Sequence, residues 1–494
     1  MVYLKNSGGD SFYVPDFRIR VFQKLRLPTL SERYTVLKDS GWNTFRIPVE
    51  KVYIDMLTDS GVNAISLEQL SDMLGLGLED AYAGNRAYYK LIDTFKEFFP
   101  HKYIILAHQG RAAENLVFKA LMKNGRKPYV LTNIHFTTTR AIVERVYGGR
   151  MIELPVPEAF DPENQYQFKG NIDTSKLEDE IKRLGPENIA AVRIEYASNL
   201  LGGQPFSTKN YYETREICDK YGIPLVADIS MVDWQIALMK KRDPMAVGKS
   251  ASKIISELME LTDVAYASAR KGFYVRGGFI TIKGDEKLYE EVRSWQLVFE
   301  GHTSYGGMSL KEIAMLIDGL RMAFDDNLPF YELEQIEYTT KKLDERGIPV
   351  VKPSGGLGVH VDARRFLPHV KLIPSNGEGG YPAGALVSAL YLVSGIRGME
   401  RGQLSMDRDP ETGEEIPVQL DLIRLAMPRK TYLQDHLNYL VDRLTWLFEN
   451  RDIIKGLNWI YEPPVLRFFE GILIDEGNWG LKLLDAYRNQ LGEI

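Results

Sequence analysis

Between about residue 85 and residue 325 the chain alternates short apolar runs with helical stretches, and few folds tolerate that rhythm. The runs are KYIILAH, KPYVLTN, GRMIELPV, NIAAVRIEYA, GIPLVAD, DVAYASA and GGFITIKG. Each is rich in apolar, β-branched or aromatic residues and is bounded by Gly, Pro, Asn or Asp. Such runs read as strands covered on both faces, in a mostly parallel sheet with helical crossovers. SLKEIAMLIDGLRMAFD (309–325) then reads as a long amphipathic helix that closes the block. Fewer strands follow, among them GIPVVKP and LGVHVDA, with helices between them. The expectation is an α/β chain in three parts: an N-terminal arm with part of a small domain (1–65), a large domain (66–325), and a smaller α+β domain (326–494). With 494 residues the chain is too long for one small core.

Composition excludes several classes. Charged residues of both signs are mixed and the net charge is −6, so there is no basic footprint for nucleic acid and no reason to expect an anionic membrane as partner. Cys218 is the single cysteine, which excludes an intrachain disulfide and a thiolate zinc cluster. It sits in TKNYYETREICDKYG, an amphipathic helix, where packing is its expected role. The start of the chain has no basic stretch followed by an apolar one, and no run approaches the roughly 18 apolar residues of a membrane span. A cytoplasmic protein is the default expectation.

In open α/β sheets ligands bind beyond the carboxyl ends of the strands. The polar residues there are Gln109, Gly110 and Arg111, Asn133 and Thr137, Asn199, Asp228, and Ser268 to Lys271. Alone, Asp228 would read as a helix N-cap with Ser230 close behind, and Lys271 as a solvated loop charge. Together they suit pyridoxal 5′-phosphate (PLP), which needs a lysine amine for its aldehyde and a carboxylate to keep its pyridine nitrogen protonated. AHQGRAAENLVFKAL adds a strand end, a glycine turn and a helix start, where anions bind readily. Gln109, Gly110, Arg111 and the Ser268 hydroxyl would meet the phosphate there.

The strings YIDMLTDSG, DAYAGNRAYY, HQGRAAEN, NIHFTTTR, FKGNID, SNLLGGQP, the SARK around Lys271, EGHTSYGG, GIRGMERG, IRLAMPR and GLNWIYEPPVLRFF run in order from about residue 40 to residue 470. On these the chain resembles the β-eliminating lyases, the family of tyrosine phenol-lyases and tryptophanases. The resemblance implies PLP fold type I, the aspartate-aminotransferase-like fold, and sites at the interface of dimers, with tetramers usual. It makes Lys271 the PLP lysine, Asp228 the pyridine partner, Gln109, Gly110, Arg111 and Ser268 the phosphate contacts, Phe136 the ring that stacks on the cofactor, and Asn199 a polar neighbour. It makes Arg424 the grip on the substrate α-carboxylate, helped by Thr58 and Ser60, and Tyr82 the acid that protonates the leaving group. Thr137 and Arg401 match the pair that meets a phenol hydroxyl, and Phe468 and Phe469 also match the phenol-lyase pattern. Without the family, Arg401 reads as a partner of Glu400, Arg424 as a surface charge, and Tyr82 as packing.

Four departures from the pattern stand out, the last at two positions. Met231 stands where an arginine lies near the cofactor's phenolic oxygen, and a thioether donates no hydrogen bond. His302 replaces a pocket methionine, either as a proton-transfer group or as a packed neutral ring. Arg270 replaces the lysine before Lys271. At the family's monovalent-cation site (Gly61, Asp80, Arg276) the glutamate is Asp80 and one carbonyl ligand belongs to Arg276. The expectation is that the Arg276 guanidinium pairs with Asp80 in place of potassium; alternatively Arg276 points away and the backbone site survives. No other metal is expected. The segment after residue 470 includes an extra amphipathic helix, LKLLDAYRNQL.

The resemblance thus implies a β-elimination that splits an aromatic amino acid into pyruvate, ammonia and the free ring. Its rivals are another PLP reaction on this scaffold (cysteine-conjugate lysis, retro-aldol cleavage or transamination) and a PLP-binding homologue without lyase activity.

Overall fold

The computed structural model describes residues 3–5, 11–79, 81–123, 126–375 and 377–492. It separates into two compact units. The first comprises the N-terminal segment to Phe17 with Ser60–Ala159 and Tyr166–Leu333; the second comprises Arg18–Asp59, Phe160–Gln165 and the chain from Glu334 onward.

All seven apolar runs of the first unit form strands of one sheet: β1 (Tyr103–Ala107), β2 (Tyr129–Thr132), β3 (Arg150–Glu153), β4 (Ile189–Glu195), β5 (Leu225–Asp228), β6 (Val264–Ser268) and β7 (Gly278–Ile282). Their spatial order is β1-β7-β6-β5-β4-β2-β3. The pairs among β2 to β6 are parallel, while β7 runs antiparallel to both β1 and β6. Successive residues feed opposite apolar layers: Leu106, Leu131, Ala265 and Phe279 on one side, Ile105, Val130, Val264 and Ile280 on the other. That two-sided burial is why the runs lack polar alternation.

Two helices illustrate how the covering layers are built. The helix α1 (Gly110–Met122) follows β1 directly. The helix α2 (Leu310–Ala323) opens with a capping box, Ser309 Oγ accepting from Glu312 N at 3.3 Å and Glu312 Oε2 accepting from Ser309 N at 2.9 Å. Cys218 lies buried in Thr208–Tyr221, and burial pushes its thiol up to about 12, so it packs as an inert apolar group.

The second unit holds a three-stranded antiparallel sheet of β8 (Gly358–Asp362), β9 (Met399–Arg401) and β10 (Leu422–Ala426), in the order β8-β10-β9. LGVHVDA supplies β8. GIPVVKP forms only the single bridge Val350–Val361, because Pro349 and Pro353 remove the donors a ladder needs. The buried helix α3 (Pro382–Ser394) covers one face of this sheet: a Cβ on Gly398 would lie 2.8 Å from Leu425 and 3.0 Å from Val387 of α3. Alternation therefore sends His360, Arg424, Met399 and Arg401 to the other face. The C-terminal helix α4 (Trp479–Leu491) packs within this unit, with Trp479 4.8 Å from Trp42 and Tyr487 5.2 Å from Trp446, ring centre to ring centre.

Gly110 shows how tightly the strand ends meet. A Cβ there would stand 2.5 Å from Ser268 Cβ and 2.7 Å from its Cα. Gly110→Ala should destabilise the protein by about 1–3 kcal/mol, the usual cost of overpacking. Urea unfolding checks this, and a change within 0.3 kcal/mol or so of zero would contradict it.

Candidate active site

The carboxyl ends of β1, β5 and β6 converge in the first unit. Gln109 is the N-cap of α1 and makes no side-chain cap, so the helix start is left to other partners. Gly110 abuts Ser268, and Gly278 abuts the Gln109 carbonyl, where a Cβ would come within 2.5 Å. The Ser268 N–H donates to Ser230 Oγ at 2.8 Å. Gln109, Gly110 and Ser268 thus form one corner; Arg111 is the exposed second residue of α1.

Asp228 ends β5 and is 8% exposed. Its Oδ1 accepts from Ser230 N at 3.1 Å and its Oδ2 from Arg193 Nη2 at 2.8 Å. The register sets Glu195, Asp228 and Tyr266 side by side on β4, β5 and β6. Burial opposes the charge on Arg193, but Tyr266, Glu195, Asp228 and Glu114 outweigh it and hold its pKa well above the ordinary value. Asn199 N donates to Glu195 Oε1 at 2.9 Å, which places Asn199 beside this group.

Lys271 follows β6. Its Nζ lies 4.8 Å from the ring centre of Phe136, the residue that caps the helix carrying Thr137. Asn63 Nδ2 donates to the carbonyls of Arg270 and Lys271 at 3.4 and 3.2 Å. The Arg270 guanidinium sits against Gly61, where a Cβ would be 2.6 Å from Nη2; burial and then Arg276 lower its pKa. Arg276 is exposed, and Asp80 lies outside the described residues. Met231 is buried just past Asp228. Among the described residues no group of His, Cys, Asp or Glu could hold a metal ion.

Tyr82 stands apart from these groups. It is 76% exposed, with its ring 6.0 Å from His302 and 5.6 Å from Tyr305. Hydrogen bonding with Tyr305 raises the Tyr82 phenol above its ordinary range. His302 Nδ1 pairs with Ser304 Oγ at 3.0 Å.

In the second unit Arg424 on β10 faces His360 and Met399 in register. Its Nη2 donates to Leu57 O and contacts Met399 Sδ, both at 2.8 Å. Burial and then Arg401 lower the Arg424 pKa, and Asp59 opposes them. Asp59 itself is bound by Arg429 at 2.7 Å. Leu57, Met399 and Phe468 form an apolar cluster with Phe45 and Phe469. Arg401 is 1% exposed, while Glu400 is engaged by Leu404 N and Ser405 Oγ. Thr58 belongs to this unit and Ser60 to the first.

The profile described as "Beta-eliminating lyase" matches residues 55–443. The chain belongs to the β-eliminating lyase family. It is 37% identical over 454 residues to the tyrosine phenol-lyase of Symbiobacterium thermophilum, covering 92% of this chain and 96% of that one. The tyrosine phenol-lyases of Lacrimispora saccharolytica (38%, 92% and 95% covered) and Pasteurella multocida (36%, 92% and 96%) are similar to it at like extent. Among solved structures, a chain of the SepCysS–SepCysE N-terminal domain complex superposes with a TM-score of 0.52 at 13% identity, over 81% of this chain and 96% of that one, a likeness of fold. The fold is PLP fold type I and the protein is a PLP-dependent lyase.

The first unit of this β-eliminating lyase suits that cofactor. It offers a lysine amine against an aromatic face, a fixed carboxylate at a strand end, and an uncapped helix start beside a serine. The motif reading missed Arg193, Glu195, Tyr266, Glu114 and His360. Charged residues inside runs read as buried on both faces were the available signal for the first two.

His360 gives a testable pH dependence. It is 3% exposed; Nδ1 meets Gly358 O at 3.1 Å and, among the described residues, Nε2 has no partner. Burial, then Arg424 and Arg401, push it down to about 3. The unfolded state, near the ordinary 6.5, binds this proton first as pH falls. Stability is therefore present above 6.5 and lost progressively below it. From pH 7 to pH 5 the loss due to this group should be about 2 kcal/mol. His360→Leu should flatten the pH dependence of urea unfolding by that amount; an unchanged slope would contradict the assignment.

Proposed function

We propose that this lyase cleaves an aromatic L-amino acid between Cβ and the ring, as a tyrosine phenol-lyase does, releasing pyruvate, ammonia and the free aromatic compound. The observation that carries the reading is Lys271 Nζ over the Phe136 face, one turn of chain beyond a strand adjacent to the one that ends in Asp228. When bound there, PLP supplies an electron sink conjugated to the substrate α-carbon. The Asp228 carboxylate, oriented by Ser230 N and Arg193, holds the proton at the pyridine nitrogen. Lys271 Nζ takes the α-proton. Arg424 binds the α-carboxylate by a two-pronged contact, with Thr58 and Ser60 assisting, and fixes which α-bond can break. Gln109, Gly110, Arg111 and Ser268 take the phosphate, and Asn199 borders the ring.

In this reading Tyr82 delivers a proton to the ring carbon as the Cβ–ring bond breaks, and water then releases pyruvate and ammonia. His302 and Tyr305, beside Tyr82, are placed to share that proton. Thr137 and Arg401 meet the ring hydroxyl, and Phe468 and Phe469 wall the apolar part of the pocket. The exposure of Tyr82 supports a homodimer or homotetramer as the working form, in which a second copy covers it. In this reading the Arg276 guanidinium pairs with Asp80 in place of potassium; the charge of Arg276 acts on Arg270, which sits against Gly61, and this supports a site already occupied by protein cations.

Three measurements test the reading. PLP-loaded protein should release pyruvate from L-tyrosine, and Lys271→Ala should release none. No pyruvate from tyrosine, tryptophan or S-substituted cysteines, with PLP bound, would favour another PLP reaction, for which Met231 and His302 are the motive. Arg424→Met should lower kcat/KM by about 10²- to 10³-fold, the cost of leaving a carboxylate without its fork. Replacing potassium by sodium should change the activity little; a strong loss would return the site to a bound cation.

A further inference from the structure

Beneath Asp228 lies a buried charged network of which the reaction as described uses only the Arg193 contact. Arg193 on β4 is fully buried and all three of its nitrogens are engaged. Nε donates to Tyr266 Oη at 2.7 Å, Nη1 to Ile134 O at 3.1 Å, and both Nη1 and Nη2 to Glu195 Oε2 at 3.3 Å; Nη2 also donates to Asp228 Oδ2 at 2.8 Å. Glu195 takes only N–H donors, from Arg193 and from Asn199 N, the pattern of a carboxylate. Behind Tyr266, Glu114 of α1 accepts from Tyr266 Oη at 2.8 Å, from Thr138 at 3.2 Å and from Thr139. Glu114 meets only hydroxyls, and burial pushes its carboxyl upward. Among the described residues the groups facing Asp228 are thus one guanidinium, one carboxylate and one phenol; burial pushes the Glu195 carboxyl upward, and the charges of Arg193 and Lys271 oppose it.

A guanidinium on Oδ2 leaves Oδ1 and its remaining lone pair to face the strand end. It also gives Asp228 a charge-assisted partner that fixes the orientation of the carboxyl group. Arg193 alone would cancel the negative charge of Asp228. Glu195, two residues on along the same strand face, restores it. We infer that Arg193 and Glu195 are positioning residues that hold Asp228 as an aimed carboxylate and, through their opposed charges, set how tightly the nitrogen joining Lys271 to its cofactor holds a proton. This rests on the PLP reading above and assigns the tuning of that site to two residues no motif marks.

The test is a pH titration of the visible absorption of PLP-loaded protein, together with PLP retention by dialysis. Glu195→Gln removes a negative charge and should lower the midpoint by about half a unit to one unit; Arg193→Gln should raise it by a similar amount. Arg193→Lys should return the midpoint toward the parent. Tyr266→Phe breaks the same network without changing charge and should leave the midpoint unmoved. Charge variants that keep PLP and titrate like the parent would overturn the inference. If they lose PLP instead, about tenfold weaker retention in both charge variants with near-parent retention in Tyr266→Phe supports it. Equal weakening in all three would reduce the pair to packing and overturn it. A parent protein that develops no visible band with PLP would overturn the proposed function, and this inference with it.

Discussion

Asp228 places a carboxylate at the end of a strand buried on both faces, and much of the first unit can be understood as the consequence. An ionised carboxyl in such a place is costly unless paired and hydrogen-bonded. One oxygen is met by the Ser230 N–H as the chain turns out of β5, the other by Arg193 from the neighbouring strand. Arg193, itself fully buried, then needs Glu195 and Tyr266, and Tyr266 reaches Glu114 on α1. The parallel register that sets Glu195, Asp228 and Tyr266 in one row makes the chain of partners short. Were β4 to slip by one residue against β5, Arg193 and Glu195 would turn into the opposite apolar layer, and three charges would lose their partners together.

The second unit meets a similar burden on a smaller sheet. Arg424, Arg401 and His360 occupy one face, and the neutral ring of His360 is what two nearby guanidinium groups permit. On the side toward α3, Asp421 accepts from Ala383 N at 2.9 Å and from Gln403 N at 2.8 Å, tying the start of α3 to the turn after Arg401. Burial and then Glu400 push Asp421 up to about 7. Phe468 is held by its neighbour Arg467, which is buried and bound to Glu415, Glu462 and Gln403 O at 2.6–2.8 Å. The segment carrying Phe468 in this unit is thus set by ion pairs, whereas the strand-end residues of the first unit are set by sheet geometry.

That difference tracks what could be read from the sequence. All seven strands of the large sheet were legible because an apolar run bounded by turn residues has few other uses, whereas the short strands Tyr3–Lys5 and Ser11–Tyr13 were not. Asp228, Ser268 and Lys271 were legible because they follow such runs. The antiparallel course of β7 was not, since the short link from Ser268 to Gly278 marks a reversal only once Lys271 is seen to lie in the turn. GIPVVKP was apolar enough for a strand, but its prolines remove the donors. Arg193 and Glu195 lie inside NIAAVRIEYA, whose apolar character hides them within the run. A charge pair two residues apart, in a strand expected to be covered on both faces, has no solvent to face and therefore implies a buried partner. His360 in LGVHVDA carries the same signal. The fit of Arg424, Met399 and Leu57 depends on register between segments hundreds of residues apart, which no local pattern encodes.

The separation between legible and hidden residues also bears on how substrate choice can vary while the chemistry is kept. The residues proposed to hold and activate PLP sit at strand ends, where a backbone shift would break the sheet. Gly110 against Ser268 and Gly278 against Gln109 leave no room even for a methyl group. Among the proposed ring-binding residues, by contrast, Tyr82 is exposed and lies with His302 in an aromatic cluster, and Phe468 and Phe469 stand on a segment pinned by Arg467, while Arg401 is buried on β9. Replacing a methionine by His302 changes a proton-bearing group without touching the sheet. In the proposed site Met231, standing where the family pattern has an arginine, would remove a cation beside the cofactor, and Arg193 would supply one from beneath Asp228. A guanidinium under the carboxylate acts on the pyridine end of the ring rather than on its phenolic oxygen. On the proposed reading the electron sink would be governed through Asp228, leaving the pocket to diverge around it.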